Sequence, residues 1–189
     1  MGYDRITLRN KNGTTSASRA WIVRRSLDLG NTWQTINTYQ LNSGFGSNAR
    51  GIGADASGNI CVVGSAIGTA VKGNYYNHWV VRRSSDGGNS WSTLDDFQLD
   101  PYNHSYARSF VAAANGTFYV VGSALVGPND GTFRNSHWTV RKSVNGGATW
   151  TTSDDLSGRS GANAPMADAF GKVFVGGDSA GAWAVRRSP

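Results

Sequence analysis

The sequence predicts an all-β chain: a β-propeller of four-stranded antiparallel blades, about four per chain, two of them incomplete. Three observations predict it. A turn motif occurs three times, as Ser26-Leu-Asp28-Leu-Gly30-Asn-Thr32-Trp33, Ser84-Ser-Asp86-Gly-Gly88-Asn-Ser90-Trp91 and Ser143-Val-Asn145-Gly-Gly147-Ala-Thr149-Trp150, its serines 58 and 59 positions apart. An aromatic-led segment precedes each turn, at Trp21, Trp79 and Trp138, and recurs a fourth time at Trp183. The remaining stretches are short, apolar or alternating, and bounded by Gly, Asn, Asp and Ser, which favours antiparallel strands over helices.

With the four strands of a unit lettered a to d, the elements follow in order. In the first unit, residues 1–41, Arg5 to Arg9 alternates and reads as strand b, Trp21 to Ser26 as c and Gln34 to Leu41 as d. The second, 42–99, has Ala49 to Ala54, Asn59 to Ser65, Trp79 to Ser84 and Ser92 to Leu99. The third, 100–157, has Ala107 to Ala113, Thr117 to Ser123, Trp138 to Ser143 and Thr151 to Leu156. The fourth, 158–189, supplies Pro165 to Ala169, Lys172 to Gly177 and Trp183 to Ser188 as a, b and c. One such sheet cannot bury both of its faces alone, so neighbouring sheets must pack around an axis, and residues 1–189 read as a single domain.

The turn has a local physical reason. A short side-chain oxygen at Asp28, Asp86 or Asn145 accepts backbone N–H groups of its own turn, and a following glycine takes the positive φ. Ser26, Gly30, Ser84, Gly88, Ser143 and Gly147 complete these turns, and Trp33, Trp91 and Trp150 are expected to anchor them by burying a large ring. The pattern Ser-x-Asp-x-Gly-x-Thr-Trp resembles the Asp-box, or BNR repeat, of sialidases and many non-catalytic propellers. Asn145 departs from it where the aspartate belongs.

Composition narrows the function classes. The chain has 189 residues, 39% of them hydrophobic, with 25 glycines, which suits a globular, loop-rich domain. No run is long enough to span a membrane, and the polar first residues show no signal peptide. Cys61 is the single cysteine, which excludes an intrachain disulfide and a cysteine-based zinc site; it reads as a small core residue, and no metal or cofactor is expected. The net charge of +6 is carried largely by the doublets Arg24-Arg25, Arg82-Arg83, Arg141-Lys142 and Arg186-Arg187. Each doublet on a strand puts one cation on each face of its sheet, so the expected roles are carbonyl contacts, packing between blades and pairing with Asp95, Asp96, Asp154 or Asp155. A nucleic-acid interface is not expected.

In an up-and-down blade the a–b and c–d turns share one end and the b–c and d–a connections the other. The second end carries the long, aromatic loops, and there Tyr75, Tyr76, Tyr102, His104 and Phe133 are candidate ligand contacts, in the mixture of rings and amides that stacks on sugars. Arg50 and Arg108 stand eight residues before Gly58 and Gly116, at the start of an inner strand, where they can meet an anion. His78 and His137 precede strand tryptophans at equivalent positions and read as structural caps on the b–c loops.

The resemblance implies arginines on that face for a substrate carboxylate, with a Tyr and Glu pair and an acid/base Asp. The matching stretch Ala162-Asn163-Ala164-Pro165 has no arginine, and the chain has no glutamate. The reading is therefore a non-catalytic recognition or scaffold propeller for a glycan or a protein partner. The alternative is a sialidase-like glycosidase, or a fragment of one, using acids such as Asp130 and Asp168. The resemblance further implies a bacterial or phage source and an extracellular or cell-surface setting. The end units, each short of strands, can close within one chain as a compact four-bladed ring or join two chains head to tail into a larger, even-numbered ring; the missing edge strands favour the homodimer, with Tyr3 to Asn10 at the seam.

Overall fold

The computed structural model describes residues 3–9, 15–128 and 135–188. They form fourteen strands in four antiparallel sheets, and no α-helix occurs among them. The first sheet holds β1 (Tyr3–Arg9), β2 (Thr15–Arg25) and β3 (Gln34–Tyr39). The second holds β4 (Ser47–Ala54), β5 (Ile60–Ile67), β6 (Asn77–Ser84) and β7 (Ser92–Phe97). The third holds β8 (Ser105–Ala112), β9 (Phe118–Leu125), β10 (Ser136–Ser143) and β11 (Thr151–Leu156), and the fourth β12 (Ser160–Ala167), β13 (Val173–Ser179) and β14 (Ala182–Arg187). Each is an up-and-down blade, and the inner strands β4, β8 and β12 lie side by side, so the chain is a β-propeller with two complete blades between two partial ones.

One expectation about the first blade needs correction. β1 does pair with β2, but Tyr3 lies opposite Trp21 and Arg9 opposite Thr15. In the second blade Trp79 faces Ser65, and β5 continues alongside β6 to the Ile60–Ser84 pair. β1 therefore flanks the residues before Trp21, beyond the blade, and does not occupy the position of a b strand beside Ile22 to Arg25. The alternation of Arg5 to Arg9 announced a strand correctly; its register was not legible, because pairing depends on the partner as well as on the period.

The core lies between blades. Trp21 and Val23 pack on Val62, Ala66 and Val80 of the second blade. Trp79, Val81, Cys61 and Val63 pack on Ala107, Phe110, Phe118 and Val120 of the third, and Trp138 and Val140 on Ala162, Val173 and Val175 of the fourth. All three tryptophans are fully buried, each burial being worth about 1.5–3 kcal/mol on the scale of large apolar side chains. Room for the rings comes from glycine: a Cβ on Gly122 would stand 2.7 Å from Trp79 Cζ3, and one on Gly177 2.6 Å from Trp138 Cζ3. Burial pushes the Cys61 thiol up to about 12, which keeps it an inert core group.

The basic doublets wire the blades together. Alternation along the strand sends the first member back to the preceding blade: Arg82 Nη1 donates to Asn37 Oδ1 at 3.2 Å, Arg141 to both oxygens of Asp95 and Arg186 to both of Asp154. The second member reaches forward, Arg25 to the carbonyl of Gly87 at 2.7 Å and Arg83 to that of Gly146 at 2.9 Å.

The aspartate turns satisfy themselves. Asp28 Oδ1 accepts Thr32 N–H at 2.8 Å and its Oδ2 accepts the Thr32 hydroxyl at 2.6 Å, while Ser26 Oγ accepts Gly30 N–H. These bonds hold the Asp28 carboxyl down at about 2, the Thr32 hydroxyl contributing most. Asp86 repeats the arrangement with Ser90. At Asn145 the amide donates to Thr149 Oγ1 at 2.8 Å, so the hydroxyl turns from donor to acceptor and the geometry survives. Trp33, Trp91 and Trp150 donate Nε1–H to the carbonyls of Gly30, Gly88 and Gly147. Their rings are less buried than expected: Trp33 is 53% exposed, and Trp91 and Trp150 are half-buried. The fully buried tryptophans are the strand residues Trp21, Trp79 and Trp138, which face the next blade, whereas Trp91 and Trp150 pack half-buried against the clusters shared with the preceding blade and Trp33 lies exposed.

Candidate functional site

The inner strands each carry a bulge at the same place, where register shifts between Ala49 and Gly51, between Ala107 and Ser109, and between Ala162 and Ala164. The skipped residues are Arg50, Arg108 and Asn163. A bulge frees a residue from the ladder and re-aims its side chain, and this is how two inner-strand cations come to line a common basin. The basin, about 670 Å³, is lined by Arg50, Tyr106, Ala107, Arg108, Ser123, Leu125, Ser136, Arg159, Ser160, Gly161, Asp178 and Gly181. It draws on the second, third and fourth blades at the loop-rich end.

Its third cation is one the sequence reading missed. Arg159 precedes β12, in the β11–β12 connection, with φ at 55°. The signal lay in Ser160, which opens β12 and is buried as Ser47 and Ser105 are at the starts of β4 and β8. Counting back from these serines puts Arg159 level with Gly46 and His104, so its charge is a feature of one unit and not of the repeat. Arg108 is oriented by Asn163 Oδ1, to which its Nη1 donates, and by Ser123 Oγ, 3.4 Å from its Nη2. The Tyr106 hydroxyl is raised above the usual range for a phenol chiefly by burial, against opposing effects of Asn77 and Arg50. Among the described residues Asp178 supplies the one carboxylate of the lining.

The aromatic candidates divide. Tyr75 is 45% exposed and stacks on Phe45 with centroids 4.4 Å apart; Tyr102, 44% exposed, lies under Lys72 Nζ at 4.7 Å. Tyr76 is only 7% exposed and packs edge-on against His104. His104 is a structural tie: its Nδ1 accepts Asn77 N–H at 2.9 Å, so the proton belongs on Nε2, and burial lowers its basicity. It also stacks on Tyr106, which lines the basin, and is not itself among the lining residues. Phe133, like Asp130, lies outside the described residues. Asp168 is placed at the opposite end from the basin, in the β12–β13 turn, where its Oδ1 accepts N–H from Phe170 and Lys172. His78 and His137 pair with Asp96 and Asp155 of the neighbouring strand at 2.6 and 2.7 Å. Among the described residues no cluster of three or more His, Cys, Asp or Glu side chains could hold a metal, and no helix is long and apolar enough to cross a membrane.

No family of sequences matches the chain, and no curated protein does. Solved structures do. A protein of unknown function from Dyadobacter fermentans superposes with a TM-score of 0.61 at 19% identity over 90% of this chain and 55% of that one. An α-L-arabinanase of Penicillium chrysogenum complexed with arabinobiose gives 0.50 at 15% identity, over 67% of this chain and 39% of the other. An α-L-arabinofuranosidase of Fusarium graminearum, also complexed with arabinobiose, gives 0.50 at 16% identity, again over 67% and 39%. The chain spans about half the length of the first and less of the others. At these identities the likeness is one of fold.

Proposed function

We propose that this chain is a non-catalytic recognition module that binds an acidic glycan, a sugar bearing a carboxylate, in the basin of Arg50, Arg108 and Arg159. One observation carries the reading: three arginines from three successive blades line one cavity together with the hydroxyl-bearing residues Ser123, Ser136 and Tyr106. Guanidinium groups bind carboxylates through paired charge-assisted hydrogen bonds, and hydroxyls suit the rest of a sugar. Tyr75 and Tyr102, exposed on the same end, are further stacking surfaces for a longer chain of sugars. The self-satisfied turns support the Asp-box assignment, and with it an extracellular or cell-surface setting. Glycoside hydrolysis in general calls for two carboxyl groups flanking one bond, whereas among the described residues Asp178 is the one carboxylate of this lining.

The test is a glycan array of acidic and matched neutral oligosaccharides, followed by titration of the best ligand. Arg50→Ala and Arg159→Ala should each weaken binding roughly 10- to 100-fold, the loss that accompanies a charged hydrogen bond of about 1.5–3 kcal/mol. Equal binding of neutral sugars, or full affinity in both variants, overturns the acidic-ligand reading. Turnover of a fluorogenic glycoside that disappears in Asp178→Asn overturns the non-catalytic one.

A further inference from the structure

The connection between β5 and β6 is itself a built hairpin, and it stands at the loop-rich end with the arginine basin. At its base Gly68 N–H donates to the Tyr76 carbonyl at 3.1 Å, and near its tip Val71 and Asn74 exchange both backbone bonds, at 2.8 and 3.1 Å. The two residues between them, Lys72 and Gly73, have φ of 49° and 80°. A two-residue loop with positive φ at both positions favours Asn or Gly at the first. Lysine there is held where a residue with a Cβ is uncommon, and strain of this kind collects at ligand-binding segments.

Both neighbours of the hairpin brace it. On one side Asn42 Nδ2 donates to the Gly68 carbonyl at 3.1 Å, and Phe45 of the β3–β4 connection stacks on Tyr75. On the other side the Lys72 ammonium lies 4.7 Å from the centre of the exposed Tyr102 ring, in the β7–β8 connection. Among the described residues no carboxylate comes within ion-pair range of Lys72. Asp100, the acid nearest Tyr102 in sequence, spends Oδ1 on Tyr102 N–H and Oδ2 on the Asn103 amide and Gly127 N–H. A positive charge thus stands over an open ring, a pairing that offers an acidic sugar both a counter-charge and a flat apolar face.

This surface runs on into the basin. Tyr76, at the foot of the hairpin, packs edge-on against His104, and His104 stacks on Tyr106 of the basin lining. Tyr102 stands four residues before Tyr106, so their Cα atoms are at most about 14 Å apart, within the reach of a short oligosaccharide. Given the acidic-glycan reading of the basin, on which this rests, we infer that the ligand is an internal stretch of a linear polyuronate, a sugar chain bearing more than one carboxylate. One acidic sugar occupies the basin and a second meets Lys72 over Tyr102. A single terminal acidic sugar would leave that second cation unused.

Calorimetric titration of the full chain with galacturonate, mannuronate and guluronate oligomers of one to six units tests this. Affinity for at least one series should rise about fivefold or more from monomer to hexamer, because a tethered second contact forms at high effective concentration. Lys72→Asn puts a favoured residue into the turn, so the thermal midpoint should not fall. It should nevertheless remove most of the gain with length and leave monomer affinity alone, while Lys72→Arg keeps the gain. No gain in any series, a gain untouched in Lys72→Asn, or an equal loss for monomer and hexamer overturns the inference, and monomer binding that still depends on Arg50 then leaves the basin reading standing. No binding at any length overturns the inference too, and the array of acidic oligosaccharides decides the basin reading separately.

Discussion

Arg141 of the third blade grips the carboxylate of Asp95 in the second with two nitrogens, Nε to Oδ2 and Nη2 to Oδ1, each at 3.0 Å. Both residues are buried, and the guanidinium also lies over the Phe97 ring at 4.0 Å. The equivalent pair one blade on, Arg186 with Asp154, is shorter at 2.6 Å but lies open to solvent, its side chains 43% and 27% exposed.

Burial decides which pair matters for stability. Asp95→Ala leaves a guanidinium buried without its counter-charge and should lower unfolding free energy by about 3–5 kcal/mol. Asp154→Ala removes a partly solvated pair and should change it by about 0–1 kcal/mol. Urea unfolding of the two variants checks the order, and equal losses would show that burial is not the controlling variable.

The two sets of tryptophans should separate in the same assay. Trp79→Ala opens a cavity between the second and third blades and should cost about 3–5 kcal/mol. Trp33→Ala removes a half-exposed ring and its bond to the Gly30 carbonyl, and about 1 kcal/mol is expected. A Trp33 variant as damaging as the Trp79 one would mean that the turn ring anchors the hairpin in spite of its exposure.

Acid should act through the aspartate turns. The carboxyls of Asp28 and Asp86 are held below their ordinary value by hydrogen bonds from their own turns, Asp28 at about 2. A depressed folded value means that their contribution is fully present above the unfolded value of 3.8 and is lost as pH falls toward 2. Asp28→Asn, copying the arrangement at Asn145, should fold normally at neutral pH and show a shallower loss of thermal midpoint between these two values. An unchanged acid slope would place the sensitivity elsewhere.

Much of this molecule was legible in the chain alone. The 58- and 59-residue spacing, the strand tryptophans and the self-bonding turns determine four sheets of one kind, because a repeated local pattern folds repeatedly into the same local structure. The doublets such as Arg82-Arg83 could also be assigned, since alternation puts their charges on opposite faces of a sheet. Only the tertiary structure decided the register of β1, the burial of Trp79 over Trp91, and the meeting of Arg50 and Arg108 with Arg159. Register and burial depend on what lies opposite, which periodicity along one strand does not encode. Arg159 and Asp178 break the repeat, and they come together with Arg108 because three blades bring their loop-rich ends to one axis, where neighbours in space are some fifty residues apart in sequence.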